Sequence, residues 1–312
     1  MGNVPCLLLD HMPETEKRAY VLADNKLALN TGRDEDLLAA GPGALMSDDL
    51  DFELGLSGFS IPEIDGILDA VAPEEDDDPA DDAMSGEAPM RVASGDIWQP
   101  GSHRLICGDA LDAQVVDDLM AGKQARMVFT DPPYNVPVDG HVGNSGKTQH
   151  REFAMAVGEM SVSQFTGFLE AAPCNLADHS VDGSIHFICM GWRHMSEMLA
   201  AGQGAYSELK NLIVWAKDNS GMGTFYRSRH ELILSCKKGA APHINSFELG
   251  PHGRYRTSVW EYRGVNTMRA GRMEELALHP AVKPVQTIAD AIRDVSGRGD
   301  ILLDTFVGQV PR

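Results

Sequence analysis

The stretch 126-RMVFTDPPYNVP-137 decides how this chain is read. Its first five residues make a short apolar run with an aromatic and a β-branched member, which suits a strand covered on both faces. Pro132 and Pro133 cannot supply the donors that a continuing ladder needs, so the strand must end at Asp131 in a stiffened turn. Working outward, comparable runs recur at 104-RLIC-107, 184-SIHFIC-189, 211-NLIVWA-216, 231-ELILSC-236 and 300-DILLD-304. Amphipathic helices are predicted over 161–177 and 284–296. Short apolar strands alternating with helices predict an α/β fold whose sheet lies between helical layers. In such sheets ligands gather at the carboxyl ends of the strands, which is where Asp131 to Tyr134 fall.

Three further segments accompany this turn: 107-CGDAL-111 upstream, then 279-HPAVKP-284 and 304-DTFVG-308 downstream. Taken together and in this order, they resemble the motifs of amino-group DNA methyltransferases of the permuted subgroup called beta. The resemblance covers 91–312 and extends to 215-WAKDNSGMG-223 and 227-RSRHE-231. It implies a Rossmann-like, S-adenosylmethionine-dependent methyltransferase sheet, with S-adenosyl-L-methionine as cofactor and double-stranded DNA as substrate.

The chemistry explains the residue types. An exocyclic amine on a base is a poor nucleophile, because its lone pair is delocalised into the ring. A carboxylate, Asp131, and a backbone carbonyl, assigned by the resemblance to Pro132, can accept its two hydrogens and orient the lone pair. Pro133 stiffens the loop, and Tyr134 offers a face on which a base rotated out of the duplex can stack. Within the family an aspartate in the first position favours adenine N6, while serine goes with cytosine N4. Asp131 therefore points to adenine, with N4-cytosine methylation as the alternative.

By the same resemblance, Asp109 would contact the cofactor's adenine, and His279 and Lys283 would hold its methionine carboxylate. Asp304, Phe306 and Gly308 would line the cofactor loop. Plainer readings exist for two of these: Asp109 can cap a turn or helix, and Pro284 suits a first helical position.

Charge is distributed unevenly. The chain has a formal net charge of −20, which at face value argues against a nucleic-acid partner. Yet residues 34–87 hold 18 acids and no Lys or Arg, whereas 91–312 carry 22 bases against 24 acids. The excess therefore belongs to one stretch and leaves the main domain near neutral. Residues 227–272 contain nine Arg and Lys against three acids, with Tyr255, Trp260 and Tyr262 interleaved, as suits a surface facing phosphates and bases. Arg227, Arg229, Arg254 and Arg256 are candidate DNA contacts there, and Lys147 and Arg151 are candidates in the loop after the catalytic turn. A non-catalytic DNA-binding protein is the rival reading. The five cysteines form no C-x-x-C pair, and His150 has no cluster of partners, so no metal site is expected. With no long apolar run and no signal-like N-terminus, the chain reads as a cytoplasmic protein away from membranes, and a homodimer is admitted.

Two departures from the family pattern set further expectations. The cofactor loop should carry a second glycine, but Val310 stands there, and the sequence stops at Arg312. The strand and helix that should follow are missing, which predicts half a cofactor pocket, little or no activity and an unpaired sheet edge that leaves 104–107 without its neighbour. If Gln309 is encoded CAG, a one-base slip after Gly308 would permit F-V-G-S-G-T-T, an expectation the gene's nucleotides would decide. At the other end, residues 4–30, including 22-LADN-25, resemble the last portion of a ParB/sulfiredoxin-like domain. Three regions are thus expected: a ParB-like remnant over 1–46, an acidic linker with one short helix over 47–90, and a methyltransferase domain over 91–312. Helical spacing of Ile61, Ile64, Ile67 and Leu68 places the linker's helix at 59–71.

Overall fold

The computed structural model describes residues 13, 16–17, 20–21, 92–136, 156, 158–218, 220, 225–246, 256–262 and 283–307. The chain divides into two compact units, Met1–Asp77 with Asn245–Arg256, and Asp78–Ile244 with Thr257–Arg312. In the first, residues 16–17 and 20–21 are helical, and the Lys17 amide donates to the Pro13 carbonyl at 3.0 Å, so Pro13 stands at the start of a helical turn. The helix expected at 59–71 and the acidic stretch lie outside the described residues.

The second unit is built on a six-stranded sheet. In chain order its described elements are β1 (Ile97–Trp98), β2 (Leu105–Ile106), α1 (Ala113–Met120), β3 (Ala125–Thr130), α2 (Val162–Asp178) and β4 (Ser180–Met190). They continue with α3 (Met195–Gly202), β5 (Glu208–Ala216), β6 (His230–Lys237), β7 (Val259–Glu261), α4 (Val285–Val295) and β8 (Leu302–Leu303). The sheet order is β7-β5-β6-β4-β3-β8. β3 pairs in parallel with both β4 and β8, and β5 with β7, whereas β6 runs antiparallel to β4 and β5. The fold is mixed α/β with a mostly parallel sheet.

Strand alternation sends the two sides of β3 into different cores. Val128 meets Val116 and Met120 of α1 and Leu176 of α2. Phe129 points the other way, toward Phe187 at 6.1 Å between ring centroids, and Phe187 meets Trp260 at 5.8 Å. α4 is tied to this aromatic row through Tyr262, whose hydroxyl donates to Asp290 at 2.5 Å. α2 begins at a capping box, with Ser161 and Gln164 satisfying each other's amides. No described helix is long and apolar enough to cross a membrane.

Five of the six expected strands join this sheet, and one expectation is corrected. Leu105–Ile106 pairs antiparallel with Ile97–Trp98 in a separate two-stranded sheet. The reason is local: 99-QPGS-102 turns the chain tightly at Gly101 (φ 59°), and closing a short hairpin costs less ordering than reaching a distant sheet. The 104–107 run therefore has a neighbour of its own. Among the described residues, the outer edge of the main sheet beside β3 belongs to β8.

Candidate active site

β3 and β8 are adjacent and parallel, with Val128 opposite Leu303, so their carboxyl ends deliver Asp131 and Asp304 to the same side of the sheet. The two ends are joined directly. Thr130 Oγ1 donates to Asp304 Oδ1 at 2.8 Å, and the Phe306 amide donates to the same oxygen at 2.9 Å. Burial pushes the Asp304 carboxyl up to about 6, against the pull of those two hydrogen bonds.

Asp131 meets quite different partners. Its Oδ2 accepts from the Lys283 ammonium at 2.5 Å, and its Oδ1 accepts from the Tyr134 hydroxyl at 2.7 Å. Lys283, two residues before α4, has only 7% of its side chain exposed and also reaches Glu231 Oε2 at 3.1 Å. The other carboxylate oxygen of Glu231 accepts from Lys217. The antiparallel ladder explains this meeting: Glu231 is the second residue of β6 opposite Trp215 of β5, and Lys217 immediately follows β5. A backbone bond from Lys217 N to Arg229 O (2.9 Å) and a side-chain bond from Arg229 Nε to Lys217 O (2.6 Å) hold the two strand ends together.

The electrostatics follow from these contacts. Burial works against the Glu231 charge, yet Lys283 and Lys217 outweigh it and bring the carboxyl down to about 2. Burial likewise opposes the charge on Lys283, but Asp131 and Glu231 hold its ammonium well above the usual lysine range. The Tyr134 phenol is pushed up by burial, and then by Asp131 and Glu231, so it keeps its proton.

The turn itself is fixed from below. Tyr134 packs against the core cluster that contains Phe165, Leu169, Ile188 and Met190. Gly191, directly after β4, leaves room for its ring, since a Cβ there would lie 3.3 Å from Tyr134 Cδ2. Asn135 follows in the left-handed region at φ 51°, a conformation asparagine tolerates better than most residues. Its buried amide donates to Met160 O at 2.9 Å and accepts from the Gly158 and Met160 amides at 3.0 and 3.3 Å. This clamp pins the turn to the segment that leads into α2.

The other expected site residues are spread more widely. Asp109 is exposed and accepts from the Leu111 amide at 2.9 Å, the contact of a turn, while Asp112 supplies the N-cap of α1. Leu111 packs on the same core cluster as Tyr134 and Phe306. Arg227 donates to Ser220 O at 3.5 Å, and just before it Phe225 and Tyr226 are 86% and 82% exposed. Arg256 belongs to the other compact unit. Lys147, Arg151, Arg254, His279 and Gly308 lie outside the described residues. Reading by motif passed over Glu231, Lys217 and Asn135. The available signals were an acid opening an otherwise apolar strand, and an asparagine directly following the D-P-P-Y turn.

With that geometry established, comparison with known proteins is direct. A family profile described as DNA methylase matches residues 125–309, from β3 through the loop after β8. The chain belongs to this DNA methylase family. A second profile, the ParB-methyltransferase HTH domain, matches residues 36–93 and so takes in the acidic stretch. The Type II methyltransferase M.HpaI of Haemophilus parainfluenzae is 28% identical over 226 residues, which are 66% of this chain and 64% of that protein. The chain thus spans a little under two thirds of that relative's length. Among solved structures, M1.HpyAVI aligns with a TM-score of 0.41 at 17% identity, covering 63% of this chain and 77% of that one. The cytosine-N4-specific PvuII DNA methyltransferase aligns with a TM-score of 0.43 at 12% identity, covering 63% of this chain and 71% of that one.

Proposed function

We propose that this DNA methylase transfers a methyl group from S-adenosylmethionine to the N6 amino group of adenine in double-stranded DNA. The observation that carries the reading is the adjacency of two strand ends. The turn bearing Asp131 and Tyr134 follows β3, and the Asp304–Phe306 segment follows β8, with Thr130 bonded to Asp304 at 2.8 Å between them. A reacting base and a methyl donor must meet within a few ångströms, and neighbouring parallel strands bring their two binding segments that close.

Each residue then has a task. Asp131 accepts one amino hydrogen and the Pro132 carbonyl the other, which turns the lone pair of the nitrogen toward the donor. The donor supplies an electrophilic methyl group on a sulfonium centre. Tyr134 stacks on the base, its ring fixed by the core beneath and by Gly191. On the cofactor side the residues present fit a polar ligand. Asp304 and Phe306 shape the turn after β8, and the buried hydroxyl Thr305 Oγ1 between them has no hydrogen-bond partner among the described residues. Asp109, His279, Lys283 and Gly308 complete the proposed cofactor set. DNA contacts fall to Lys147, Arg151, Arg227, Arg229, Arg254 and Arg256, and the exposed Phe225 and Tyr226, which precede Arg227 in sequence, can stack on bases. The substrate places the enzyme in the cytoplasm.

The test is incubation with methyl-labelled S-adenosylmethionine and duplex DNA, followed by nucleoside analysis. Label is expected on adenine, and Asp131→Ala is expected to lower transfer by about three orders of magnitude or more, since it removes both orientation and charge. Label on cytosine would instead establish the N4 reaction. DNA binding without uptake of S-adenosylmethionine would favour the non-catalytic binding reading.

A further inference from the structure

We infer that Glu231 is a positioning residue that frees Asp131 for its substrate: it keeps hold of the Lys283 ammonium and receives the Tyr134 hydroxyl when an amino group takes over the Asp131 oxygens. The inference rests on the methyl-transfer reading above. Its starting point is that both oxygens of Asp131 are already engaged, one by Lys283 at 2.5 Å and the other by Tyr134 at 2.7 Å. An incoming amine competes with these two donors for the same carboxylate, and where it takes the lone pair that one of them holds, that donor is displaced. A buried ammonium or hydroxyl left without an acceptor bears the full cost of its desolvation, so displacement into nothing would oppose substrate binding.

Glu231 removes that obstacle. Its Oε2 lies 3.1 Å from Lys283 Nζ and 3.3 Å from the Tyr134 hydroxyl, so the same oxygen serves both displaced donors. The Tyr134 hydroxyl has one hydrogen and two acceptors in reach, at 2.7 and 3.3 Å. Turning the O–H from Asp131 to Glu231 needs rotation about a single bond and no movement of the ring. Lys283 carries three hydrogens and stays bonded to Glu231 when it gives up Asp131. Lys217, on the far oxygen, keeps Glu231 ionised and stops it from turning away. Lys217 is steadied in turn by the face of Trp215, 4.4 Å from its ammonium.

Among the described residues, the charged and titratable groups around Lys283 are Asp131 and Tyr134 after β3, Cys189 on β4, Glu231 on β6 and Asp304 after β8, with Lys217 behind Glu231. Of these, Glu231 and Asp131 are the carboxylates in contact with the ammonium. Neutralising Glu231 therefore leaves Lys283 half its countercharge at the same burial.

Glu231→Gln is expected to lower kcat about 30-fold or more while KM for DNA stays within about threefold. The same variant should move the 15Nζ resonance of the Lys283 ammonium and speed the solvent exchange of its protons severalfold at neutral pH, read in lysine-labelled protein and assigned with Lys283→Arg. Glu231→Asp keeps the charge but shortens the reach. It should keep a carboxylate near the Lys283 ammonium and still lose kcat. An unmoved Lys283 ammonium signal in Glu231→Gln overturns the proposal whether or not the wild-type protein methylates DNA, and so does wild-type kcat in Glu231→Asp. A wild-type protein that transfers no methyl group sinks the methyl-transfer reading alone, because the Lys283 signal is read without turnover. If Glu231→Gln fails to fold, Glu231→Asp gives the decision.

Discussion

Two neighbouring parallel strands both finish in an aspartate, yet the protein treats the two carboxyls in opposite ways. Asp131, after β3, meets an ammonium at 2.5 Å and shares that cation with Glu231. Asp304, after β8, accepts from neutral donors, the Thr130 hydroxyl and the Phe306 amide, and burial lifts it to about 6. Position in the sheet is nearly the same for both, so the difference comes from side chains that other elements bring in. β6 contributes Glu231, the segment after β5 contributes Lys217, and the residue pair before α4 contributes Lys283. One strand end sets its carboxylate against a buried ammonium. The other surrounds its carboxyl with neutral donors, which only partly offset the burial that raises it.

Lys283→Met tests the contrast most severely. It leaves Asp131 and Glu231 facing each other without the cation they share, which makes the first strand end more hostile to charge than the second. Removing one partner of a buried pair costs about 3 kcal/mol or more, and urea unfolding should show a loss of that size together with loss of methyl transfer. A variant as stable as the wild type would mean that Lys283 contributes no net stability and that the contrast is only geometric.

Asp304→Asn probes the other end, and its sign is opposite. The native Asp304 carboxyl sits near 6 against an ordinary 3.8, so between these values the folded state holds a proton that the unfolded state releases. Stability is therefore lost as pH rises from about 4 through 6. Asparagine abolishes this dependence and should raise stability at pH 7 by up to about 3 kcal/mol relative to wild type. Unfolding free energies at pH 4 and pH 7 check it; an unchanged pH slope would place the titrating group elsewhere.

Much of this contrast could be read from sequence, and the part that could not has a physical cause. 126-RMVFT-130 and 300-DILLD-304 announce their strands by composition, and the D-P-P-Y turn announces a strand end with chemistry. β3, β4, β5, β6 and β8 accordingly lie where apolar runs put them. The 104–107 run looked equally strand-like, but whether a strand joins the main sheet or closes a hairpin depends on the cheapest available partner, which composition does not encode. β7 is three residues long and interrupts a basic stretch, too short for a period to register. Within the site, Asp131 and Tyr134 were legible because they are contiguous. The motif singled out Lys283 for the cofactor, and nothing in it announced the contact with Asp131, 152 positions away in sequence. Glu231 and Lys217 come from strands that meet only through the antiparallel ladder of β5 and β6, so their role appears only once register is known.

Thr130→Val is the gentlest way to sharpen the comparison, because it alters the link between the two strand ends while keeping every charge. The Thr130 hydroxyl donates to Asp304 and helps to hold that carboxyl down against burial. Valine keeps the β-branched shape that suits the last residue of β3 but supplies no donor. Stability should fall by about 1 kcal/mol, the usual net worth of one hydrogen bond. The Asp304 midpoint should also move above 6, because the ionised carboxylate loses an interaction while its burial is unchanged. The pH-dependent loss of stability would then extend to higher pH, opposite to the flattening expected of Asp304→Asn. If the midpoint instead stayed in place, the Phe306 amide alone would be setting it, and the two strand ends would be coupled by backbone position and not by this side-chain bond.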